Sequence, residues 1–290
     1  MLIKGKPAQD KIRLQLAKII KDKRVFGIPK LAIIQIGNRE ESNSYIARKK
    51  EFGRKIGAKI LHMRLADSVD NSQVLKKIKK LNGDETVHGI ILQLPISKHL
   101  NSSKLLNAID SIKDVDGLDK KNRDLLQKGS TEGYVPATAL GILALLRHYK
   151  IKPKGKHVVV VGESILVGRP TALLMSREGA IVSAANKMTR NLPKLTRKAD
   201  ILIVAAGVAR LIGKDHVKAG QIVIDVGINV SGKKFEEEIG RKKIVGDVDF
   251  EEVKNIVRAI TPVPGGAGPM TVASLFVNLV EAYRKQVEGK

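Results

Sequence analysis

The stretch VVVVGESILVGRP, residues 158–170, decides the fold of the second half of the chain. Four consecutive valines are typical of a strand that is buried on both faces, and Gly162 ends the run in a tight turn. The residues after Gly168 have the pattern of a helix, and a strand, a glycine turn and a helix in this order favour a dinucleotide site. An ordinary tight turn explains the loop alone equally well, because its glycines lie six residues apart rather than five.

Short apolar runs alternate with amphipathic helical patterns along the whole chain. In the first half, strands are predicted at 30–37, 58–65 and 87–94, and helices at 40–56 and 70–81. In the second half, strands are predicted at 156–162, 180–185, 200–207 and 221–227, and helices at about 168–178 and 191–198. Because strands that alternate with helices form parallel sheets, we predict an α/β protein with two doubly wound domains. A long helix from Pro136 to about Tyr149 joins the two series, and a last long helix follows the glycine-rich loop at 261–271.

The composition indicates a folded protein with a strongly basic surface. Hydrophobic residues make up 43% of the 290 residues, and the formal net charge is +24. A nucleic-acid-binding protein would explain this charge, but no recognition module or stacking-aromatic pattern accompanies it. We therefore favour a solvated basic surface that attracts anionic small molecules, and we expect no nucleic-acid partner.

Other function classes are excluded by what the sequence lacks. The chain has no cysteine, which rules out disulfides and thiolate chemistry, and its six histidines show no metal-ligand spacing. The N-terminus has no signal-peptide pattern, and the apolar runs are shorter than the ~20 residues of a spanning helix. We expect a cytoplasmic protein with no metal site and no membrane partner.

The loop at 162–168 offers groups that could bind phosphate. Ser164 has a hydroxyl and a backbone N–H, and Gly168 allows a helix to begin close to the sheet. After the next strand, where a dinucleotide-binding domain usually has an acid for the ribose diol, the chain has Lys187 and Arg190. Cations at this position favour a 2′-phosphate. Two exposed cations without a ligand are the alternative in so basic a chain.

A second group of candidates lies in the first half. Tyr45 and Lys49 are four residues apart in a predicted helix, so they share a face that could stack on a flat ligand and transfer a proton. A surface lysine beside an interfacial tyrosine is the simpler explanation. Gln93 ends a strand at the edge where open α/β sheets bind ligands. Asp114 and Asp116 precede Gly117 in a sequence that a simple turn also explains.

Nine segments resemble, in the same order, the signature segments of one family. They are SYIARK, ILQLPI, KDVDG, VPATALG, VVGESILVGRP, ADILIVAAG, VIDVGIN, VGDVDF and TPVPGGAGPMT. The family is the bifunctional 5,10-methylenetetrahydrofolate dehydrogenase/5,10-methenyltetrahydrofolate cyclohydrolase (FolD) family. The resemblance covers nearly the whole chain, and KDVDG and PVPGGAGPMT are its most specific parts.

The resemblance implies a fold, two activities and a cofactor. It implies a folate and catalytic domain of residues 1–138 and 268–290 and a Rossmann-like NAD(P)-binding domain of residues 139–267, with a cleft between them. It implies oxidation of 5,10-methylenetetrahydrofolate by NADP, with NAD as the alternative, and hydrolysis of the methenyl product to 10-formyltetrahydrofolate. It further implies a homodimer in one-carbon metabolism and purine biosynthesis that uses tetrahydrofolates, including polyglutamylated forms. A member with one activity, or one that prefers NAD, is the alternative.

The resemblance also implies roles for individual residues. Lys49 matches the central lysine of the cyclohydrolase step, Tyr45 the ring that stacks on the folate, and Gln93 the partner that sets the protonation state of Lys49. Asp116 would accept hydrogen bonds from the pterin edge. Two further folate contacts are expected at Pro264 and Gly265. Cofactor contacts are expected at Gly162, Glu163, Ser164, Gly168, Lys187 and Ile228.

Glu163 is the departure from the family's pattern that concerns the cofactor, because the loop commonly has an arginine at this position. A carboxylate there would repel a 2′-phosphate or accept hydrogen bonds from a ribose diol, whereas Lys187 would attract the phosphate. We predict NADP, with Glu163 turned toward solvent or paired with a cation.

Overall fold

The structure is a computed structural model that describes residues 1–22, 27–231 and 243–288. It divides into two compact units: unit 1 comprises Met1–Gln9 and Thr138–Thr271, and unit 2 comprises Asp10–Ala137 and Val272–Lys290. Among the helices of these described ranges, none combines the length and the apolar character that crossing a membrane requires.

Unit 2 is built on a three-stranded parallel sheet with the order β2-β1-β3. The strands are β1 (Lys30–Ile36), β2 (Lys59–Leu65) and β3 (Gly89–Leu92). Its helices are α1 (Gly5–Lys21, which begins in unit 1), α2 (Glu40–Ile56), α3 (Asn71–Asn82), α4 (Ser102–Leu106), α5 (Lys120–Gln127) and α10 (Ala267–Glu288, whose first residues also belong to unit 1). Because β2 and β3 lie on opposite sides of β1, the strand order reverses there, and the carboxyl ends of β1 and β3 form the kind of switch point at which such sheets bind ligands.

The core of unit 2 holds α2 in place. Phe276 of α10 is fully buried, and its ring centroid lies 5.1 Å from that of Phe52 on α2. A Cβ atom on Gly53 would lie only 3.1 Å from the Phe276 ring, so the glycine permits this close packing of the two helices. The predicted helix at 40–56 is therefore confirmed, and its buried face carries Ile46, Phe52 and Ile56 together with Lys49.

Unit 1 is built on a five-stranded parallel sheet with the order β10-β7-β6-β4-β5. The strands are β4 (His157–Val161), β5 (Ile181–Ala185), β6 (Ile201–Val204), β7 (Ile222–Asp225) and β10 (Ala259–Ile260), and β8 (Asn229–Ser231) and β9 (Lys243–Val245) form a separate antiparallel pair. The helices are α6 (Ala137–His148), α7 (Gly168–Arg177), α8 (Leu192–Thr196) and α9 (Phe250–Val253), with a 3-10 turn at Lys214–His216. The order reverses at β4, and all four valines of this strand are buried, as predicted.

Several elements begin or end at other residues than predicted; the strand predicted at 87–94, for example, shortens to β3. The predicted strands at 200–207 and 221–227 stop at Val204 and Asp225, and the predicted helix at 191–198 shortens to α8. The residues after β6 and β7 leave the sheet because a buried carboxylate, rather than a neighbouring strand, binds their backbone and side-chain donors. Residues 1–9 lie in unit 1 because the backbone N–H groups of Ile3 and Gly5 donate to the carbonyl oxygens of Ile260 and Gly265 at 2.8 Å.

Candidate active site

A buried lysine and a glutamine form the centre of the candidate site in unit 2. The Nζ of Lys49, on α2, donates to the Oε1 of Gln93 at 2.8 Å, just past the end of β3. Lys49 is 7% exposed and Gln93 is 9% exposed. The Nε2 of Gln93 donates to the carbonyl oxygen of Leu94 at 2.7 Å, which sets the orientation of the amide and leaves its oxygen for Lys49.

Burial shifts the titration of Lys49 and Asp116 toward their neutral forms. Burial lowers the pKa of Lys49, and the attraction of the Asp116 carboxylate opposes this shift. Burial likewise raises the pKa of Asp116, against the attraction of Lys49. An amine whose pKa is lowered in this way can accept and return a proton closer to neutral pH than a free lysine can.

Tyr45 lies one helical turn before Lys49 on α2. Burial raises the pKa of its phenol, and the guanidinium of Arg48, which lies 5.7 Å from the ring centroid, opposes this shift. The ring therefore stays neutral at physiological pH. A neutral phenol can stack on a flat ligand and still donate a hydrogen bond from its hydroxyl.

The KDVDG segment gives its two aspartates different environments. Asp114 is buried and accepts hydrogen bonds from the Asp119 N–H at 2.8 Å and the Asn122 side chain at 3.2 Å, so it organises the turn. Burial raises the pKa of Asp114 to about 8. Gly117 has φ of 70°, and a Cβ on it would lie 2.9 Å from the backbone nitrogen of Pro136, so the segment needs glycine there. Asp116 interacts with Lys49 instead, which makes it the aspartate of the candidate site.

The loop after β4 in unit 1 has the geometry of a phosphate-binding turn. Gly162 has φ of 108°, and a Cβ on it would lie 2.2 Å from the carbonyl oxygen of Ala205. A Cβ on Gly168 would lie 1.8 Å from the carbonyl oxygen of Gly162, so α7 begins directly against the end of the strand. The Oγ of Ser164 accepts from the backbone N–H groups of Val167 at 3.2 Å and Gly168 at 3.4 Å. Its hydroxyl proton is then directed away from these donors and suits an anion.

Glu163 has a partner that the sequence reasoning did not anticipate. Its carboxylate accepts a hydrogen bond from the side-chain amide of Asn186, at the carboxyl end of β5. This contact differs from the predicted orientation toward solvent or toward a cation, because the pairing of β4 with β5 brings the Asn186 amide next to Glu163. Lys187 and Arg190 are exposed on the segment that follows β5.

Four exposed apolar side chains lie just past four neighbouring strands of the unit 1 sheet. They are Ile165 after β4 (42% exposed), Met188 after β5 (79%), Val208 after β6 (51%) and Ile228 after β7 (45%). Because the strand order is β7-β6-β4-β5, they follow one another along the carboxyl edge. Apolar contacts on both sides of a phosphate turn fit a dinucleotide, whose two bases lie on either side of its pyrophosphate. Of the four, only Ile228 was predicted, from the family resemblance, although a large apolar residue within three positions after each predicted strand would have indicated all four.

The remaining predicted folate contacts lie in unit 1. Pro264 and Gly265 are exposed in the loop after β10, and the carbonyl oxygen of Gly265 accepts from the backbone N–H of Gly5. The predicted folate contacts therefore belong to both units: Pro264 and Gly265 to unit 1, and the other four to unit 2. These four are Tyr45, Lys49, Gln93 and Asp116.

Two models of one protein family match the two parts of this chain. Residues 3–116 match the model of the tetrahydrofolate dehydrogenase/cyclohydrolase catalytic domain, and residues 136–287 match that of the tetrahydrofolate dehydrogenase/cyclohydrolase NAD(P)-binding domain. The bifunctional protein FolD of Acholeplasma laidlawii is 43% identical over 99% of this chain and 99% of its own length, and that of Aquifex aeolicus is 41% identical over 99% and 96%.

Solved structures extend the similarity to the fold. The bifunctional enzyme FolD of Campylobacter jejuni is 40% identical, with a TM-score of 0.91 over 98% of this chain and 99% of its own. The Trypanosoma brucei methylenetetrahydrofolate dehydrogenase-cyclohydrolase, determined with NADP cofactor and inhibitor, is 30% identical, with a TM-score of 0.93 over 99% and 98%. The chain therefore belongs to the tetrahydrofolate dehydrogenase/cyclohydrolase family.

Proposed function

We propose that this chain oxidises 5,10-methylenetetrahydrofolate to 5,10-methenyltetrahydrofolate with NADP and hydrolyses the product to 10-formyltetrahydrofolate. The single observation that carries the proposal is the buried hydrogen bond between Lys49 and Gln93, in a chain whose other unit has a dinucleotide loop. A member of the family with only one activity would be expected to lack one of these two features.

In the hydrolysis, Lys49 is the group that moves the proton. A water molecule adds to the cationic methenyl carbon and gives one proton to the amine of Lys49. The bond between this carbon and N5 then breaks: N5 keeps the electron pair and takes the proton back from Lys49. The hydroxyl loses its remaining proton to solvent as the formyl C=O forms on N10, so that one proton is released overall. Gln93 orients the amine and sets its protonation state. The buried surroundings lower the pKa of Lys49, so that a larger fraction of it is the free base than of an exposed lysine.

The folate is held by groups that stack and by groups that accept hydrogen bonds. The ring of Tyr45 stacks on the folate, and the carboxyl group of Asp116 faces donors of the pterin edge. Pro264 and Gly265 are further contacts. The partial burial of Tyr45 and the neighbouring charge of Lys49 beside Asp116 support these roles.

For the dehydrogenase, the protein binds and orients the cofactor. NADP supplies the acceptor for the hydride, and this chemistry belongs to the cofactor itself. Gly162 and Gly168 allow the phosphates to approach the backbone, Ser164 donates its hydroxyl proton to them, and Ile228 contacts a base. Lys187 attracts the 2′-phosphate, while Glu163 is held by Asn186.

Family membership also supports a proposal for where the protein acts and how it assembles. We propose a cytoplasmic homodimer in one-carbon metabolism, where 10-formyltetrahydrofolate supplies purine biosynthesis. The charge of +24 would attract the anionic tails of polyglutamylated folates. Under this proposal, the KM for a polyglutamylated folate rises with salt concentration, whereas a KM that does not change with salt would remove the role of the charge.

The direct test supplies 5,10-methylenetetrahydrofolate and NADP and follows the ultraviolet absorbance of reduced nicotinamide. We expect reduction that depends on the folate, followed by accumulation of 10-formyltetrahydrofolate. If neither NADP nor NAD is reduced in the presence of the folate, the dehydrogenase proposal is wrong.

A further inference from the structure

Unit 1 contains two buried aspartates to which the proposed reaction gives no role. Asp225 ends β7 and is 3% exposed, and Asp247 follows β9 and is fully buried. Burying a carboxylate costs free energy unless hydrogen bonds satisfy its oxygens, so both aspartates need hydrogen-bond donors nearby. Several of their partners lie in two of the loops that carry the exposed apolar side chains of the carboxyl edge, those after β6 and β7.

Each of the two aspartates packs closely against a glycine of the other segment: Asp247 against Gly227, and Asp225 against Gly246. A Cβ on Gly227 would lie 2.2 Å from the carboxyl carbon of Asp247, and a Cβ on Gly246 would lie 1.8 Å from the Oδ2 of Asp225. Each carboxylate thus occupies the space that the other segment's glycine leaves empty. The VIDVGIN and VGDVDF segments therefore need each other's glycine, which no pattern within either segment shows.

Asp225 binds the backbone of Asp247 and of the residue that follows it. Its Oδ1 accepts from the N–H of Gly227 at 2.9 Å and from that of Asp247 at 3.1 Å, and its Oδ2 accepts from the N–H of Val248 at 3.0 Å. The N–H of Asp225 in turn donates to the Oγ1 of Thr261 at 2.7 Å. Asp247 is therefore positioned by the end of β7 itself.

Asp247 uses its own oxygens to bind two loops. Its Oδ2 accepts from the backbone N–H groups of Ala206 at 2.6 Å and Gly207 at 2.8 Å, after β6. Its Oδ1 accepts from the side-chain amide of Asn229 at 2.8 Å, after β7. Gly207 and Asn229 are the immediate chain neighbours of Val208 and Ile228, respectively.

We propose that Asp247 is a positioning residue for the dinucleotide: it joins the loops after β6 and β7, so that Val208 and Ile228 present a preformed apolar contact to the cofactor. The inference rests on the proposed function, whose site it deepens. Loops that are ordered before binding lose less conformational freedom on binding. Without the carboxylate, three donors lose their acceptor and the cofactor must order the loops itself.

The test compares Asp247→Ala and Asp247→Asn with the matched control Asp249→Ala. Asp249 lies two residues further on, is partly exposed, and caps α9 by accepting from the N–H of Glu252. Its loss perturbs the same segment and removes a 4.0 Å ion pair with Arg210, but it leaves all the hydrogen bonds of Asp247 to the two loops in place. The dissociation constant of NADP is measured by calorimetric titration, and the KM and kcat of both reactions are measured beside it. Thermal unfolding identifies variants that do not fold.

We expect Asp247→Ala to raise the dissociation constant and the KM of NADP about tenfold or more, and to change the kcat less. Asp247→Asn keeps one oxygen acceptor and should raise the dissociation constant and the KM of NADP only several-fold. This variant gives a second test if the alanine variant does not fold. Asp249→Ala should change them less than about twofold, although it also lowers thermal stability. The cyclohydrolase, which uses no dinucleotide, should fall less than the dehydrogenase in every Asp247 variant.

The outcomes separate the inference from the proposed function. If a folded Asp247 variant binds NADP within about twofold of the unmodified chain, or no more weakly than Asp249→Ala, Asp247 does not position the cofactor. If the unmodified chain binds NADP but does not reduce it, the proposed reaction fails, and the binding comparison still decides the inference. If the unmodified chain binds no NADP, both are wrong.

Discussion

Replacement of Gln93 by leucine tests the role of the buried pair at the centre of the candidate site. Leucine is of comparable size but apolar, and it removes the oxygen that accepts the 2.8 Å hydrogen bond from Lys49. An ammonium group donates a stronger hydrogen bond than a neutral amine does, so the glutamine stabilises the charged form of Lys49 more than the free base. Its loss should therefore lower the pKa of Lys49 further below its usual value.

The size of this shift follows from the difference between the two hydrogen bonds. A hydrogen bond that involves a charged group contributes about 1.5–3 kcal/mol, and a neutral one contributes about 0.5–1.5 kcal/mol. The difference of roughly 1–1.5 kcal/mol corresponds to about one pKa unit, because one unit equals about 1.4 kcal/mol. Water does not replace the lost acceptor easily, since both residues are more than nine-tenths buried.

The assay is the pH dependence of methenyltetrahydrofolate hydrolysis, with the enzyme-free rate subtracted at each pH. Because the free amine is the active form, the rate of the unmodified chain should rise with pH through the lowered pKa of Lys49. The Gln93→Leu profile should move about one unit toward lower pH, with a lower plateau because the amine is less well oriented. Gln73→Leu is the control, since Gln73 belongs to the capping box of α3. A profile that stays in place, or moves to higher pH, would refute this account of Lys49.

Three further substitutions have clear expected outcomes. Lys49→Met should abolish hydrolysis of the methenyl compound, whereas Lys50→Met, at the exposed neighbouring position, should retain it. If Lys49→Met hydrolyses the compound at the unmodified rate, Lys49 is not the group that moves the proton. Glu163→Arg should raise kcat/KM for NADP relative to NAD about tenfold, equivalent to about 1.4 kcal/mol, and an unchanged ratio of initial rates would show that Glu163 has no part in the choice. Phe276→Ala should destabilise unit 2 by about 3–5 kcal/mol in denaturant unfolding, and a loss below about 1 kcal/mol would contradict the packing of α10 against α2.

The strands and helices whose residues follow a regular apolar pattern could be predicted from the sequence. The four valines before Gly162 and the helix that carries Tyr45 and Lys49 follow from β-branched content and from helical spacing, and both were confirmed. The contact of Gln93 with Lys49 was expected from the family resemblance. It could not have come from spacing alone, because the two residues are 44 positions apart.

Other features escaped prediction because their partners are distant in the chain. The Asp247 carboxylate binds Ala206 across 41 positions, and the strand predicted at 200–207 ends early as a result. The pairing of Glu163 with Asn186 spans 23 positions and depends on β4 and β5 being neighbours. In each case the sequence gives the donor or acceptor, but the strand order determines which groups meet.

Initial rates with NADP and NAD, measured side by side at saturating 5,10-methylenetetrahydrofolate, test the central claim most directly. The account predicts that NADP is reduced with the higher kcat/KM and that 10-formyltetrahydrofolate accumulates in step with the reduced cofactor. Absence of folate-dependent reduction with both cofactors would contradict it.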